Sequence, residues 1–203
     1  MHRGKLITFE GGEGAGKTTL IEGIFSYLTS RGYTVIKTRE PGGTRLSEKV
    51  RSLLLEKSGT VSPFAELALF LASRAQHVEE VLLPALNEGT IILCDRFNDS
   101  SVAYQGIARG LGKEKVDWAC RFFSQNLEPD HTFFLDIDPS LGLFRAQKIK
   151  EQDRIEQEGF PFHKKVRNAF LEIAMENPKR VHVLDATLPK ERVLEEALKC
   201  LKI

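Results

Sequence analysis

Lys17 and Thr18 stand directly behind a run of six residues, Gly11 to Gly16, of which four are glycine, so an ammonium and a hydroxyl follow a nearly bare backbone. The spacing fits G-x-x-x-x-G-K-[ST]. Glycine permits positive φ, lets successive N–H groups turn inward, and leaves no Cβ in the way of phosphate oxygens. A helix opening at Lys17 would aim the positive end of its dipole at the same point. Lys17 can then reach the β- and γ-phosphates of a bound nucleotide, and the Thr18 hydroxyl can ligate Mg²⁺. Gly11, Gly12, Glu13, Gly14, Ala15, Gly16, Lys17, Thr18 and Thr19 therefore form a candidate phosphate cradle, the alternative being a glycine-rich turn with no ligand.

The rest of the chain must show which phosphate chemistry this is. A GTPase needs a guanine-reading N-K-x-D, a transport ATPase an L-S-G-G-Q, and a partition-type ATPase an extra lysine where Gly11 stands; none of the three is present. A small-molecule kinase or a nucleotide-dependent switch remains. An acceptor phosphate is largely a dianion at pH 7 and needs cations more than a general base. Arg39, Arg45, Arg51, Arg74 and Arg96 all lie in the first half of the chain, near segments expected at the carboxyl ends of strands, where open α/β sheets bind ligands. Guanidinium groups suit the task through planar, bidentate contacts. Asp95-Arg96 closes the strand-like "TIILCDR": the aspartate can reach Mg²⁺ and the arginine can hold phosphate, or the two form a surface salt bridge. His77 and His163 have no partner at a diagnostic spacing, so no metal or catalytic role is read for them.

Short β-branched runs alternate with segments of helical period, which predicts βαβ units around a parallel sheet covered on both faces. The expected strands are 5–10, 34–38, 90–94, 131–135 and 181–184. Leu20, Ile24 and Leu28 line one face of a first helix that Gly32 can end. Residues 65–86 read as one long helix and 191–201 as the closing one. "REPGGT", Arg39 to Thr44, must be loop. "QKIKEQDRIEQE", residues 147–158, is too polar to be core on any face and reads as a mobile, solvated segment.

With 203 residues, 41% hydrophobic and 28% charged, the chain is expected to be one domain, 1–203, with one sizeable core. Its 29 basic and 28 acidic side chains leave a formal charge of +1, which gives no global reason to expect nucleic acid or an anionic membrane as partner. No apolar run reaches the length of a membrane span and no signal-peptide pattern opens the chain. Three dispersed cysteines, Cys94, Cys120 and Cys200, suggest neither a disulfide framework nor a zinc site; the cytoplasm is the expected compartment.

Taken together, "FEGGEGAGKTT", "TREPGGT", "RSLLL", "LFLASRAQH", "DRF", "SSVAYQG" and "DRIEQE" come in the order found in the thymidylate (dTMP) kinases, P-loop nucleoside monophosphate kinases, and run from Phe9 to Glu158. The chain resembles the bacterial lid-type members. The resemblance implies ATP + dTMP giving ADP + dTDP with Mg²⁺, on a three-layer P-loop NTPase fold of the α/β class, with five parallel strands between helices, and a homodimer. It also implies that Phe70 stacks on thymine, that Arg74 one turn later hydrogen-bonds the base edge, and that Ser101 and Gln105 reach its polar side. Tyr104 would pack beneath the sugar and exclude a 2′-hydroxyl. Glu10 and Glu40 would lie near the acceptor's sugar and phosphate or the metal shell, Thr18 and Asp95 at the metal, and Arg51 and Arg96 on the acceptor phosphate. The loop 184–193 would flank the adenine. A lid, about 145–158, would supply the transition-state cation, because Gly12-Glu13-Gly14-Ala15 contains no arginine. The candidates are Arg145, Lys148, Lys150 and Arg154. The chain departs from the usual lid pattern at Ile149, where an arginine is expected. Other nucleotide kinases and an ATP-binding switch stand as the alternatives.

Overall fold

Five strands of five or six residues form one parallel sheet in the computed structural model, which describes residues 3–56, 60–148 and 153–201. The strands are β1 (Leu6–Glu10), β2 (Val35–Arg39), β3 (Ile91–Asp95), β4 (His131–Asp136) and β5 (Val181–Asp185), in the order β2-β3-β1-β4-β5. Each lies within a residue or two of the stretch expected from β-branched and apolar runs. β1 is central and buried throughout, while the edge strand β2 is half-exposed and carries Lys37 on its open side. Register sets Phe9 beside Asp95 of β3 and Phe133 of β4, so the carboxyl ends of three strands come level.

Side chains alternate across the sheet, as strand geometry requires. Ile7, Phe9, Leu93, Phe133 and Leu135 pack on helices α1 (Lys17–Ser30) and α9 (Lys190–Cys200). Leu6, Ile92 and Cys94 point the other way, onto Val78, Leu82 and Leu86. Phe134 packs there too, against Phe170 of α8 (Phe160–Glu176), with ring centroids 5.1 Å apart. The expected α/β layering is what the chain adopts.

The expected single helix over 65–86 divides into three. Helix α3 (Pro63–His77) starts at the Ser62 cap, a π-helical turn follows at Val78–Leu82, and α4 (Leu83–Asn87) completes the run. Pro84 explains the break: it has no N–H to donate, and its ring crowds the carbonyl a turn earlier, which a widened turn relieves. Among the described residues, five helices that periodicity did not single out fill the gaps: α8, α2 (Arg45–Leu55), α5 (Asn98–Ser101), α6 (Lys113–Phe123) and α7 (Pro139–Gln147). A second π-helical stretch, Val102–Ala108, continues α5 and carries Tyr104 and Gln105. The reading of 147–158 as wholly solvated fails over its described second half. Glu156 is buried, and Arg154 bonds a carboxylate inside the fold, because paired charges can enter a protein interior where lone ones cannot.

Candidate active site

The carboxyl ends of β1, β3 and β4 open into a cleft of about 970 Å³. One wall is Glu13 to Thr19. Gly14 and Gly16 adopt φ of +67° and +95°, the left-handed values that bend the loop around its amides. Gly14 has a second reason to be glycine: a Cβ there would lie 2.0 Å from the carbonyl oxygen of Gly142 on α7. Gly142 faces it in turn, its own imagined Cβ 2.4 Å from the Glu13 carbonyl oxygen. Helix α7 is thus docked onto the loop through two bare backbones. Gly11 and Gly12 do not line this cleft; their carbonyls accept from the Lys17 ammonium at 3.2 and 3.1 Å. Burial lowers the Lys17 pKa, and the Arg96 charge adds to that.

The opposite wall comes from α3, the π-helical stretch and the loop after β2. Phe70 lines it half-buried, with Arg74 one turn on. Arg74 is almost fully buried and spends four of its five N–H donors on the protein: Nε to Glu40 Oε2 at 2.7 Å, Nη1 to Ser101 Oγ at 3.1 Å and Cys120 Sγ at 3.3 Å, Nη2 to the Phe97 carbonyl at 3.1 Å. Glu40 also meets His77 Nδ1 at 3.0 Å, and His77 Nε2 pairs with Thr38 Oγ1 at 2.7 Å. Burial would raise the Glu40 pKa, but Arg74 and His77 outweigh it and hold the carboxylate below its usual range. Tyr104 packs edge-on to Phe162 and Phe170 with the Arg96 guanidinium 5.2 Å from its ring; burial pushes its phenol up to about 12.

Between the walls lie Asp95, Arg96 and Arg51. Arg96 sits at φ +69°, uncommon for a side chain of its size, and is held there by its N–H on the Phe9 carbonyl at 2.9 Å. Its guanidinium donates to Gly11 O at 3.0 Å, Ser100 Oγ at 3.2 Å and the Glu13 carboxylate. Asp95 lines the cleft with a buried Oδ1 that has no hydrogen-bond partner among the described residues. Arg51 donates to Pro41 O at 3.0 Å and faces the cleft, as does Arg39. Arg45 does not: it opens α2 exposed, outside the lining. Glu10 is also a correction. Expected beside the acceptor, it is fully buried behind the wall, accepting from Phe97 N at 2.8 Å and from Ser100 Oγ. Burial, with Asp99 adding, pushes its carboxyl up to about 8.

Of the four lid cations, Arg145 and Lys148 line the cleft. Arg145 donates to the Ala186 carbonyl at 3.0 Å, in the loop expected to flank adenine, and the Lys148 ammonium lies 4.1 Å from the Phe144 ring centroid. Arg154 is turned away, bonded to Glu66 Oε2 at 2.7 Å and to the Leu54 carbonyl at 3.2 Å, because a buried carboxylate draws it there. Lys150, like Ile149, lies outside the described residues. Sequence reasoning missed three supports: His77, Glu66 and Gly142. His77 had a findable signal, since it follows Arg74 by three residues on the same helix face; Glu66 and Gly142 had none.

The sequence profile of one family, thymidylate kinase, matches residues 9–197. Thymidylate kinases from Protochlamydia amoebophila and Pelobacter propionicus are 48% and 47% identical to the chain, covering 98% and 95% of it and 93% and 91% of their own lengths. The crystal structure of thymidylate kinase from Ehrlichia chaffeensis superposes with a TM-score of 0.80 at 34% identity, covering 98% of this chain and 99% of that one.

Proposed function

The chain belongs to the thymidylate kinase family, whose members phosphorylate dTMP, and on that premise we propose how its cleft divides the reaction between ATP and the acceptor. The observation that carries the division is the single cleft with an amide-and-lysine wall facing an aromatic-and-arginine wall. On the first, amides of Glu13 to Thr19 and the start of α1 take the ATP phosphates, with Lys17 on the β- and γ-groups. Thr18 and Asp95 would hold Mg²⁺, and an Asp95 Oδ1 without a hydrogen-bond partner among the described residues is the feature that fits a cation there. The ion's chemistry is to neutralise the charge that develops between the phosphates. On the second wall, Phe70 stacks on thymine, Arg74, Ser101 and Gln105 meet its polar edge, and Tyr104 closes the space beside the sugar's 2′ carbon. Arg51 and Arg96 grip the acceptor phosphate, with Glu40 fixing Arg74 behind the base. No general base is assigned, since the acceptor is already anionic.

Arg145 and Lys148, which line the cleft, are the cations assigned to the transferred group, and Arg154 reaches it only after leaving Glu66. The chain acts as one catalytic unit. We further propose a homodimer in the cytoplasm. Phe64 on α3 and Trp118 and Phe122 on α6 are 74%, 67% and 64% exposed, with the Trp118 and Phe122 rings stacked 5.5 Å apart. An apolar patch of that kind calls for a covering surface, and three free thiols suit a reducing compartment. Initial rates with dTMP, dUMP, UMP and AMP test the acceptor assignments. dTMP should give the highest kcat/KM; AMP or UMP as best acceptor would remove Phe70, Arg74 and Tyr104 from their roles.

A further inference from the structure

Glu66 lies one helical turn before Phe70 on α3, is completely buried, and does not itself line the cleft. Both its oxygens are saturated. Oε1 accepts from Gln105 Nε2 at 2.9 Å and from Arg109 Nε at 3.1 Å, and Oε2 from Arg109 Nη2 at 3.2 Å and Arg154 Nη2 at 2.7 Å. Four accepted bonds match the roughly four lone-pair sites a carboxylate offers. Burial alone would raise the Glu66 pKa, but hydrogen bonds from Gln105, Arg109 and Arg154 hold it below its usual value, so it stays an anion.

An ionised carboxylate can only accept, whereas a side-chain amide has one donating and one accepting end. Gln105 is buried and lines the cleft. With its NH₂ committed to Glu66, the end left for a ligand is the carbonyl oxygen. Arg74 beside it can only donate. A base lying against this pair meets a donor and, next to it, an acceptor. Thymine and uracil answer with a carbonyl at C4 and an N3–H. Cytosine presents an amino group and a bare N3, a mismatch at both positions, and a buried polar mismatch is a strong means of rejection.

We propose that Glu66 is a positioning residue that fixes which end of the Gln105 amide faces the acceptor's base, and so sets the preference for 4-keto over 4-amino pyrimidines. This rests on the assignment of Gln105 to the acceptor wall. The same carboxylate anchors Arg154, so base reading and the placement of residues 153–158 share one support.

The test compares kcat/KM for dTMP and dCMP in wild type, Glu66→Gln, Glu66→Asp and Gln105→Leu. A glutamine at 66 can present either end of its amide, which frees Gln105 to turn over. The dTMP:dCMP ratio should narrow about tenfold or more in Glu66→Gln and recover in Glu66→Asp, which keeps the carboxylate. An equal loss for both acceptors, with the ratio unchanged, is what a merely structural role gives, and it overturns the proposal. Gln105→Leu separates the two layers: if neither acceptor responds, the acceptor-wall assignment itself fails. Should Glu66→Gln not fold, the wild-type side-chain amide signal of Gln105, identified by its loss in Gln105→Leu, decides by NMR. Protons that exchange slowly and shift little on addition of dTMP support the inference; protons that exchange freely before dTMP and become protected with it overturn it.

Discussion

On the proposed division of the cleft, the donor end is built mainly of backbone from one contiguous stretch, Glu13 to Thr19, whereas the acceptor end is built of side chains from α3, α5, the π-helical stretch and the loop after β2, bonded largely to one another. Amide dipoles fixed by a glycine loop need little outside help to point at a phosphate. Buried side chains that read a base must each have a partner, and the partners need partners in turn: Arg74 leans on Glu40, Glu40 on His77, and His77 on Thr38. A change at the donor end should therefore cost rate without much stability, and a change behind the acceptor wall should cost both.

The sharpest test of that contrast is Lys17→Ala, expected to lower kcat about 10³-fold with a circular-dichroism melt close to wild type; a collapsed melt would erase the contrast. Next in size is Glu40→Gln, which leaves Arg74 buried without its carboxylate. Urea unfolding should show a loss of about 3–5 kcal/mol, with KM for dTMP rising more than KM for ATP. Gly142→Ala should act on the donor end from outside it, since its Cβ would meet the Glu13 carbonyl at 2.4 Å. A drop in kcat/KM for ATP of about 10²-fold with dTMP binding retained is the expected result, and a rise confined to the KM for dTMP would contradict it. Tyr104→Ala should narrow the preference for dTMP over its ribose analogue by about tenfold; an unchanged ratio takes Tyr104 out of that role.

The smallest effect concerns pH. Glu10 titrates at about 8 in the folded protein against an ordinary 4.5. A raised value means the folded state holds the proton more tightly, so its contribution to stability is complete below about pH 4.5 and disappears as pH climbs through 8. The Tm of wild type minus that of Glu10→Gln should fall by a few degrees between pH 6 and 8.5. A pH-independent difference would mean that Glu10 is ionised in its buried setting.

How much was legible follows the same division. The P-loop motif and the strand positions could be read because their signals are local, fixed spacing and β-branched runs, and the one-turn spacing of Phe70 and Arg74 put both in the lining of one cleft. Glu10 was misplaced because a strand end gives its level along the sheet but not whether the side chain is roofed over, and here Phe97 and Ser100 close above it. Arg154 was one of four lid residues that the resemblance offered as the transition-state cation, yet its partner in the structure, Glu66, lies 88 positions away. The break at Val78–Leu82 had a visible cause in Pro84, which helical periodicity alone overrode.

What the sequence by itself determined is the glycine loop, the parallel sheet and the family's order of motifs, since backbone conformation and alternating burial act over a few residues. Only the tertiary structure decided that Gly142 seats α7 on the loop, that His77 and Glu66 hold the acceptor wall from behind, and that Glu10 is sealed within the fold. The physical reason is that a buried polar group must be satisfied by whatever the fold brings to it, and those partners come from distant elements that no local spacing records.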